Sequence, residues 1–252
     1  MADLSDQQKQ RYLRNIAVSE IGELGQKKLL SAKVLVVGAG GLGSSALFYL
    51  AANGVGTIKI VDDDKVEISN LQRQIIHNLN NINQNKTESA KQKINLLNED
   101  VKIEAINLRV DKNNLPSLIK DCDYIIDCSD NFQTRFAINQ SCVQNSKKLV
   151  FAAVKEFSGQ LSFFDFSKKN QPCYSCFNHN DIEQNFELPI SQKGILGSVP
   201  GVLGSMQATM AINQILEVGE NLAGKMIICD FLNFNFRKIN LSKNASCKIC
   251  SS

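Results

Sequence analysis

The stretch Lys33–Gly43, which reads KVLVVGAGGLG, decides the fold. Lys33 to Val37 is short, rich in β-branched residues and stops at Gly38, as a buried strand does. The glycines match the G-x-G-x-x-G pattern and lead into a helix of small residues predicted over Ser44 to Ala52. Such a turn lets the backbone approach phosphate groups, and the helix N-terminus attracts their negative charge. The sequence therefore predicts a phosphate-binding turn whose glycines are Gly38, Gly40, Gly41 and Gly43.

The next predicted strand supplies an acidic residue that suits a ribose. This strand covers Thr57 to Val61, and Asp62 follows it, nineteen residues after Gly43. A carboxylate at this place accepts hydrogen bonds from ribose hydroxyls in dinucleotide-binding folds. These residues alone leave an NAD-dependent oxidoreductase open, although no nicotinamide contact and no proton donor stand out.

Strands and helices alternate through the first part of the chain. The patterns predict helices over Lys86–Leu97 and Phe132–Val143, and strands over Val101–Leu108, Tyr124–Ile126 and Leu149–Ala153. This alternation is typical of an α/β protein with a doubly wound, Rossmann-like, mostly parallel sheet.

The alternation of predicted strands and helices ends after about Phe157. Strands are predicted over Gln160–Phe166 and over Met226–Ile239 without helices of the earlier kind between them, so we expect antiparallel strands that extend the sheet. One helix is predicted over Gly204–Val218, and a long loop over Gln184–Gly201.

Composition excludes several classes of function. The net charge is +3 and no run of five basic residues occurs, so a nucleic-acid partner is not expected. The first residues lack a basic region followed by an apolar stretch, which argues against a signal peptide. Val34–Ile58 carries no charge, but its glycines favour a strand, a turn and a helix over a membrane span. Eight cysteines without an export signal indicate a reducing, cytoplasmic location.

Three further charged residues favour a triphosphate over a dinucleotide. Arg73, in Asn70-Leu71-Gln72-Arg73-Gln74, follows the second strand, and Lys86 comes soon after it. Arginine offers bidentate geometry to phosphate and lysine a compact charge. Asp130 follows a strand at the carboxyl edge of the sheet, where a hard carboxylate suits Mg²⁺.

At this point the sequence resembles the ThiF/MoeB/HesA family of adenylyltransferases, relatives of the ubiquitin-activating enzymes. The similarity runs in order through nearly the whole chain, and Ser69-Asn70-Leu71-Gln72-Arg73-Gln74 is its most specific part. The other matching pieces are Arg11-Tyr12-x-Arg14-x-Ile16, Gly38–Gly43, Asp62, Lys86, Asp127-Cys128-x-Asp130-Asn131, Gly159-Gln160, Cys173-Tyr174-x-Cys176, Gly204-Ser205-x-Gln207-Ala208 and Cys247-x-x-Cys250.

The resemblance implies an activity and a set of roles. It implies that the protein binds ATP and Mg²⁺ and adenylates the C-terminal glycine of a ubiquitin-like sulfur-carrier protein ending in Gly-Gly, for thiamine or molybdenum cofactor biosynthesis. It assigns Asp62 to the ribose, Asn70, Arg73 and Lys86 to the phosphates, and Asp130 to Mg²⁺. Arg14 is expected to come from the second subunit of a homodimer.

The resemblance also implies a single adenylation domain over 1–252. Within it we expect an N-terminal helical segment at 1–32, a nucleotide-binding part at 33–156, and a carrier-binding and zinc-binding part at 157–252.

Four cysteines form two Cys-x-x-Cys pairs, Cys173/Cys176 and Cys247/Cys250. Four thiolates complete a closed tetrahedral structural zinc site, so a catalytic zinc with an open position is not expected. Neighbouring His179 is not needed as a ligand. The pairs are about seventy residues apart, so zinc would tie the C-terminal tail to the middle of the chain.

Some relatives carry a reactive cysteine in the loop before the Gly204 helix. No cysteine occurs here between Cys176 and Cys229, and Ile190 stands about where it would fall. We therefore predict adenylation without an enzyme-bound acyl intermediate.

The acceptor stays open at this point between a ThiS-like carrier, a MoaD-like carrier, a peptide carboxylate and a carboxylate on a modified tRNA base. A non-enzymatic scaffold would leave Arg73, Lys86 and Asp130 without a shared purpose.

Overall fold

The computed structural model describes residues 3–178 and 194–251. Its N-terminal helices are α1 (Asp6–Arg11), α2 (Leu13–Ile16) and α3 (Gly22–Ser31). The Ser5 side chain accepts a hydrogen bond from the Gln8 N–H and so caps α1. All three helices lie between Asp6 and Ser31, ahead of the first strand.

The strands of the described chain form one mixed sheet in the order β3-β2-β1-β4-β5-β6-β7-β8. Pairing from β3 to β5 is parallel, and pairing from β5 to β8 is antiparallel. The predicted fold class is therefore confirmed. The strands are β1 Lys33–Val37, β2 Thr57–Val61, β3 Lys102–Ile106, β4 Tyr124–Asp127, β5 Lys148–Lys155, β6 Ser158–Asp165, β7 Lys225–Asp230 and β8 Asn235–Asn240.

Helices cover both faces of the parallel strands. Val34 and Val36 of β1 face one apolar cluster, whereas Leu35 and Val37 face the other, because successive side chains in a strand point to opposite faces. The first cluster includes residues of α4 (Gly41–Ala52), α5 (Lys86–Leu97) and α9 (Ser198–Leu216). The second includes residues of α6 (Leu115–Ile119), α7 (Phe132–Gln144) and α8 (Tyr174–Phe177). Among the described residues, no helix combines the length and the apolar character that crossing a membrane requires.

Strand order reverses between β1 and β4, and this reversal opens a crevice at the carboxyl edge of the sheet. Val37 pairs with Asp127 at the last position of the β1–β4 ladder. The chain therefore leaves both strands at the same edge and side by side. In doubly wound sheets, ligands bind at this kind of switch point.

Two sequence predictions differ from the structure in the C-terminal part. Helix α9 begins at Ser198, not at Gly204, because Pro200 lies in its first turn, where a missing N–H costs no helical hydrogen bond. The predicted loop over Gln184–Gly201 is thus wrong for 198–201, and 179–193 lie outside the described residues. The stretch Met226–Ile239 is two strands, since the Asp230 carboxylate accepts hydrogen bonds from the Leu232 and Asn233 N–H groups and closes a turn.

Helices α4 and α9 pack backbone against backbone at Gly204. A Cβ added there would lie 2.1 Å from the Leu42 carbonyl oxygen and 2.3 Å from Ser45 Oγ. Only glycine permits this approach. Gly201, one turn earlier on the same helix, has no atom within 4 Å of an added Cβ.

This contrast gives a matched pair of stability variants. Gly204→Ala should lower the free energy of unfolding by about 1–3 kcal/mol, because the methyl group forces the two helices apart. Gly201→Ala should leave it unchanged or raise it by up to about 1 kcal/mol, since alanine favours the helix. Urea titration with matched m-values measures both. Equal midpoints for the two variants would contradict the close approach of α4 and α9.

Candidate functional site

The turn Gly38–Gly43, called the glycine turn below, packs directly on the backbone that leaves β4. Gly38 has φ +98°, and a Cβ there would lie 2.8 Å from the Cys128 carbonyl oxygen. The chain can make this turn only with glycine, because the positive φ and the close approach both exclude a side chain. Helix α4 starts at Gly41, so the first N–H groups of a twelve-residue helix open into the crevice.

Asp62 lies beside the glycine turn. Its carboxylate accepts hydrogen bonds from the Ala39 N–H at 2.8 Å and from the Asp64 N–H at 2.9 Å. Burial raises the pKa of Asp62, while the nearby charge of Lys86 and these two backbone hydrogen bonds oppose that shift. The carboxylate is thus held at the turn, at the place predicted for a ribose-binding group.

Arg73 lies next to the start of α4. Its guanidinium donates a hydrogen bond from Nη1 to the Ser69 carbonyl at 3.0 Å. A Cβ added at Gly41 would lie 3.5 Å from Arg73 Cγ, so the arginine stem runs past the helix N-terminus. Asn70 is buried, and its side-chain oxygen accepts a hydrogen bond from the Glu67 N–H at 3.2 Å. Asn70 therefore fixes the short turn from which Arg73 reaches the glycine turn.

Lys86 is the first residue of α5. Its side chain is 7% exposed, and Nζ lies 2.7 Å from Asp64 Oδ2. A buried ammonium group next to one partly exposed carboxylate can also contact a phosphate. The structure thus places Lys86 on the β2 side of the glycine turn.

Asp130 is exposed at the end of a rigid segment after β4. Buried Asp127 accepts hydrogen bonds from the Ser129 N–H at 2.9 Å and from the Ser129 hydroxyl at 2.6 Å. Gln207 of α9 donates to the Asp127 carbonyl at 2.7 Å, and Arg135 of α7 donates to the Ser129 carbonyl at 3.0 Å. Burial raises the pKa of Asp127, and the charge of Arg135 opposes that shift.

The described residues contain two groups of three or more side chains placed to hold a metal ion, and Asp130 is in neither. One group is the row Asp62, Asp63 and Asp64, of which the last two are exposed. A lone exposed carboxylate such as Asp130 fits Mg²⁺, which usually takes one or two protein carboxylates and completes its shell with water and substrate phosphate.

Arg14 does not join the other predicted residues within one chain. It is exposed on α2, two residues after Tyr12, whose ring lies against Gly54 just beyond the C-terminal end of α4. Helix α4 has twelve residues, so this end lies about 18 Å from Gly41 at 1.5 Å per residue. The glycine turn therefore lies at the N-terminal end of α4, and Arg14 of α2 lies near its C-terminal end.

Residues that the sequence analysis did not single out also support the site. His77 is buried, with Nε2 3.0 Å from the Ala39 carbonyl oxygen. Arg135 donates to the nearby Ser129 carbonyl, and His77 contacts the distant Ala39 carbonyl. Contacts with backbone carbonyls leave no mark in periodicity or spacing, so neither pattern indicates these residues. Their only sequence signal is that each lies within five residues of a predicted site residue.

The four cysteines of the two Cys-x-x-Cys pairs meet in one buried cluster. Sulfur–sulfur distances are 3.7 Å for Cys173–Cys247, 3.9 Å for Cys173–Cys176 and 3.4 Å for Cys176–Cys250. Four sulfurs at about 2.3 Å from a zinc ion would be about 3.8 Å apart. The distances are too long for disulfides and fit a tetrahedral zinc site.

The surroundings of the cluster also suit a cation. The Cys173 N–H lies 3.4 Å from Cys176 Sγ, as a backbone amide does beside a thiolate. Burial opposes ionisation of Cys247, but the backbone amides of Ile249 and Cys250 and the neighbouring thiols outweigh it and lower its pKa to about 7. Burial instead raises the pKa values of Cys173 and Cys250. His179 and Ile190, named in the sequence analysis, lie outside the described residues.

Helix α8, which carries Cys176, is fixed to the sheet. The Tyr174 N–H donates to Asn139 Oδ1 at 2.9 Å, and the Tyr174 ring packs against Phe136, Phe151 and Phe177. The cysteine cluster therefore fastens the C-terminal tail to a rigid part of the fold.

As a whole, the crevice offers groups that suit a polyphosphate. The glycine turn and the α4 N-terminus offer amide donors, Arg73 and Lys86 offer positive charge, and Asp130 offers an exposed carboxylate. No group is placed as an obvious general base among the described residues, and positioning with charge neutralisation suffices for phosphate chemistry.

Known proteins with similar sequences carry related names. The chain is 40% identical over 240 residues to a SAMP-activating enzyme E1 of Haloferax volcanii, covering 95% of this chain and 88% of that protein. It is 36% identical over 250 residues to a molybdopterin-synthase adenylyltransferase of Salmonella typhimurium, covering 99% of each. It is 35% identical over 243 residues to a sulfur carrier protein adenylyltransferase of Thermus thermophilus, covering 95% of this chain and 90% of that protein.

Solved structures share the fold. Escherichia coli MccB with ATP matches with a TM-score of 0.83 and 25% identity, covering 95% of this chain and 73% of that one. MccB with AMPCPP and MccA matches with a TM-score of 0.83 and 26% identity, covering 95% and 74%. The names of the sequence relatives confirm the predicted class of enzyme, an adenylyltransferase. The ThiF family matches residues 12–249, and this chain belongs to that family.

Proposed function

We propose that this protein transfers AMP from ATP to the C-terminal glycine carboxylate of a ubiquitin-like sulfur-carrier protein ending in Gly-Gly. The observation that supports the proposal is that Asp62 accepts a hydrogen bond from Ala39 of the glycine turn and the Arg73 stem runs past Gly41. Lys86 pairs with Asp64, two residues after Asp62, and Asp130 follows the backbone that packs on Gly38. Two relatives named for sulfur-carrier and molybdopterin-synthase adenylylation, at 35% and 36% identity, support the choice of acceptor.

Each residue has a role in binding ATP. The Asp62 carboxylate accepts hydrogen bonds from the ribose hydroxyls, and the amides of the glycine turn and the α4 N-terminus bind phosphate oxygens. Arg73 and Lys86 neutralise the phosphates, with Asn70 holding the turn that presents Arg73. Asp130 binds Mg²⁺, which when present would neutralise further phosphate charge.

The reaction joins two anions. A carboxylate oxygen of the carrier forms a bond to the α-phosphorus, the bond from that phosphorus to the oxygen bridging to the β-phosphate breaks, and pyrophosphate leaves with that electron pair. The positive charges of Arg73 and Lys86 stabilise the negative charge on the phosphates in the transition state. The sequence between Cys176 and Cys229 has no cysteine, so we expect the acyl adenylate to leave the site without an enzyme-bound thioester.

We propose that Arg14 acts across a homodimer. Within one chain it lies at the far end of α4 from the glycine turn, and an arginine side chain cannot span that helix. In a symmetric dimer each Arg14 can instead reach the site of the partner subunit.

We assign carrier binding to 157–252, the part that also holds the cysteine cluster, and nucleotide binding to 33–156. Exposed apolar side chains mark the turn from β7 to β8, where Leu232 is 65% and Phe234 is 78% exposed. Apolar groups of this size at the surface are typical of a protein-binding face. The candidate acceptors are a ThiS-like carrier, a MoaD-like carrier and a peptide carboxylate, and activity assays distinguish them.

Mass spectrometry of candidate carriers tests the activity. ThiS-like and MoaD-like proteins incubated with this protein, ATP and Mg²⁺ should gain one AMP in at least one case. Arg73→Ala should slow the gain by on the order of 100-fold, because it removes a charge that contacts the phosphates. Lys102→Ala, at the exposed amino end of β3, is the matched control and should behave as the wild type. No AMP on either carrier would contradict the proposed acceptor.

Mixing two inactive variants tests the dimer. Arg14→Ala and Arg73→Ala should each lose activity alone. After subunit exchange at equal amounts, half of the dimers would carry one site with both arginines, so activity should return to about a quarter of wild type. Arg14 acting within its own chain would give no recovery, because no mixed dimer would then contain an intact site.

Metal analysis tests the cysteine cluster. The purified protein should contain about one zinc per chain. Cys247→Ser should lose the zinc and lower the melting temperature, because the tail is then no longer fastened to α8. Cys229→Ser, which changes a buried thiol outside the cluster, should retain zinc. Retention of zinc by Cys247→Ser would show that the four thiolates are not the ligands.

A further inference from the structure

His77 forms a buried bridge between the glycine turn and α5. It is 5% exposed, and its Nε2 lies 3.0 Å from the Ala39 carbonyl oxygen. Its Nδ1 lies 2.8 Å from the hydroxyl of Ser89, which is fully buried. Ala39 is the second residue of the glycine turn, and Ser89 lies three residues after Lys86.

The two partners define one tautomer of the imidazole. A carbonyl oxygen only accepts, so Nε2 carries the hydrogen and donates to Ala39. Nδ1 then accepts a hydrogen bond from the Ser89 hydroxyl. Burial lowers the pKa of His77 to about 4, the charge of Lys86 acts in the same direction, and the bond to Ala39 opposes the shift. The side chain is therefore neutral near pH 7, which leaves Nδ1 to accept the hydrogen bond from Ser89.

Holding the Ala39 carbonyl also orients an amide of the turn. Every peptide bond of the described chain is trans, so the Ala39 C=O and the Gly40 N–H point in opposite directions. With its carbonyl turned toward His77, the Ala39–Gly40 peptide must direct the Gly40 N–H away from His77. On its other side, Ala39 donates its N–H to Asp62 at 2.8 Å. Both peptides that flank Ala39 are thus fixed by side chains.

We propose that His77 is a positioning residue that sets the amides of the glycine turn for the phosphates of ATP and holds the turn in register with the helix that carries Lys86. The inference rests on the proposed function only in taking the glycine turn as the phosphate site. It needs neither a particular carrier nor a particular acceptor. His77 does not touch the nucleotide, and it acts through the Ala39–Gly40 peptide.

Two substitutions of His77 by an amide residue distinguish this positioning role from a general effect on stability. In His77→Gln, the side-chain nitrogen can occupy the place of Nε2 and donate to Ala39. In His77→Asn, the shorter amide matches Nδ1, so the contact with Ser89 is kept and the contact with Ala39 is lost. Ser89→Ala removes the other end of the bridge and leaves the imidazole in place.

Binding of a fluorescent ATP analogue and AMP transfer to the carrier are measured for each variant, with melting temperatures alongside. His77→Asn should weaken nucleotide binding by on the order of tenfold, the equivalent of one hydrogen bond, while His77→Gln stays within about threefold of wild type. Ser89→Ala should fall between them.

Equal nucleotide affinity for His77→Asn and wild type would overturn the proposal. The proposal would also be overturned if both His77 variants lost nucleotide affinity in proportion to the decrease in their melting temperatures. A wild-type protein that binds the analogue but transfers no AMP would refute the proposed acceptor alone, since the comparison of affinities still tests His77. Failure of the wild type to bind nucleotide would overturn both.

Discussion

The contact between the glycine turn and the backbone after β4 is the constraint on which the rest of the structure depends. Gly38 approaches the Cys128 carbonyl so closely that a single added carbon would clash. This approach is possible because β1 and β4 are neighbours and end at the same level of the sheet. It brings the backbone that leads to Asp130 against the turn that opens α4.

Side chains from distant parts of the chain stabilise this arrangement. Asp62 and His77 hold the two sides of Ala39, and Gln207 and Arg135 hold the segment between Asp127 and Ser129. Each is a hydrogen bond between a buried or half-buried side chain and the backbone, and leaving such groups unpaired is costly. The crevice is therefore set by the folded chain before any ligand arrives, as electrostatic catalysis requires.

Much of the fold follows from local sequence patterns. The strand, turn and helix around Lys33–Gly43 could be read because apolar runs, glycines and helix signals occur together there. The start of α9 was missed because Pro200 and Gly201 read as loop residues, although proline is suited to a first helical turn. The break between β7 and β8 was missed since it depends on one carboxylate, Asp230, that binds two amides.

The candidate site could be predicted where charge and spacing mark it, and not where it depends on contacts across the fold. Arg73, Lys86 and Asp130 follow strands or open a helix, and their positions along the chain place them at one edge of the sheet. His77 gives no such signal, because its partner Ala39 lies 38 residues earlier and accepts through its backbone. Arg14 had to be inferred from family resemblance, and the length of α4 now gives a physical reason for placing it in a partner's site.

We propose that the crevice transfers AMP from ATP to a carrier carboxylate in a reversible step that releases pyrophosphate. Exchange of labelled pyrophosphate into ATP measures that step directly. We predict exchange with an intact carrier, and none when the carrier is absent or lacks its terminal glycine, because the carboxylate is the nucleophile. Exchange that proceeds equally without a carrier, or with the truncated one, would contradict the account.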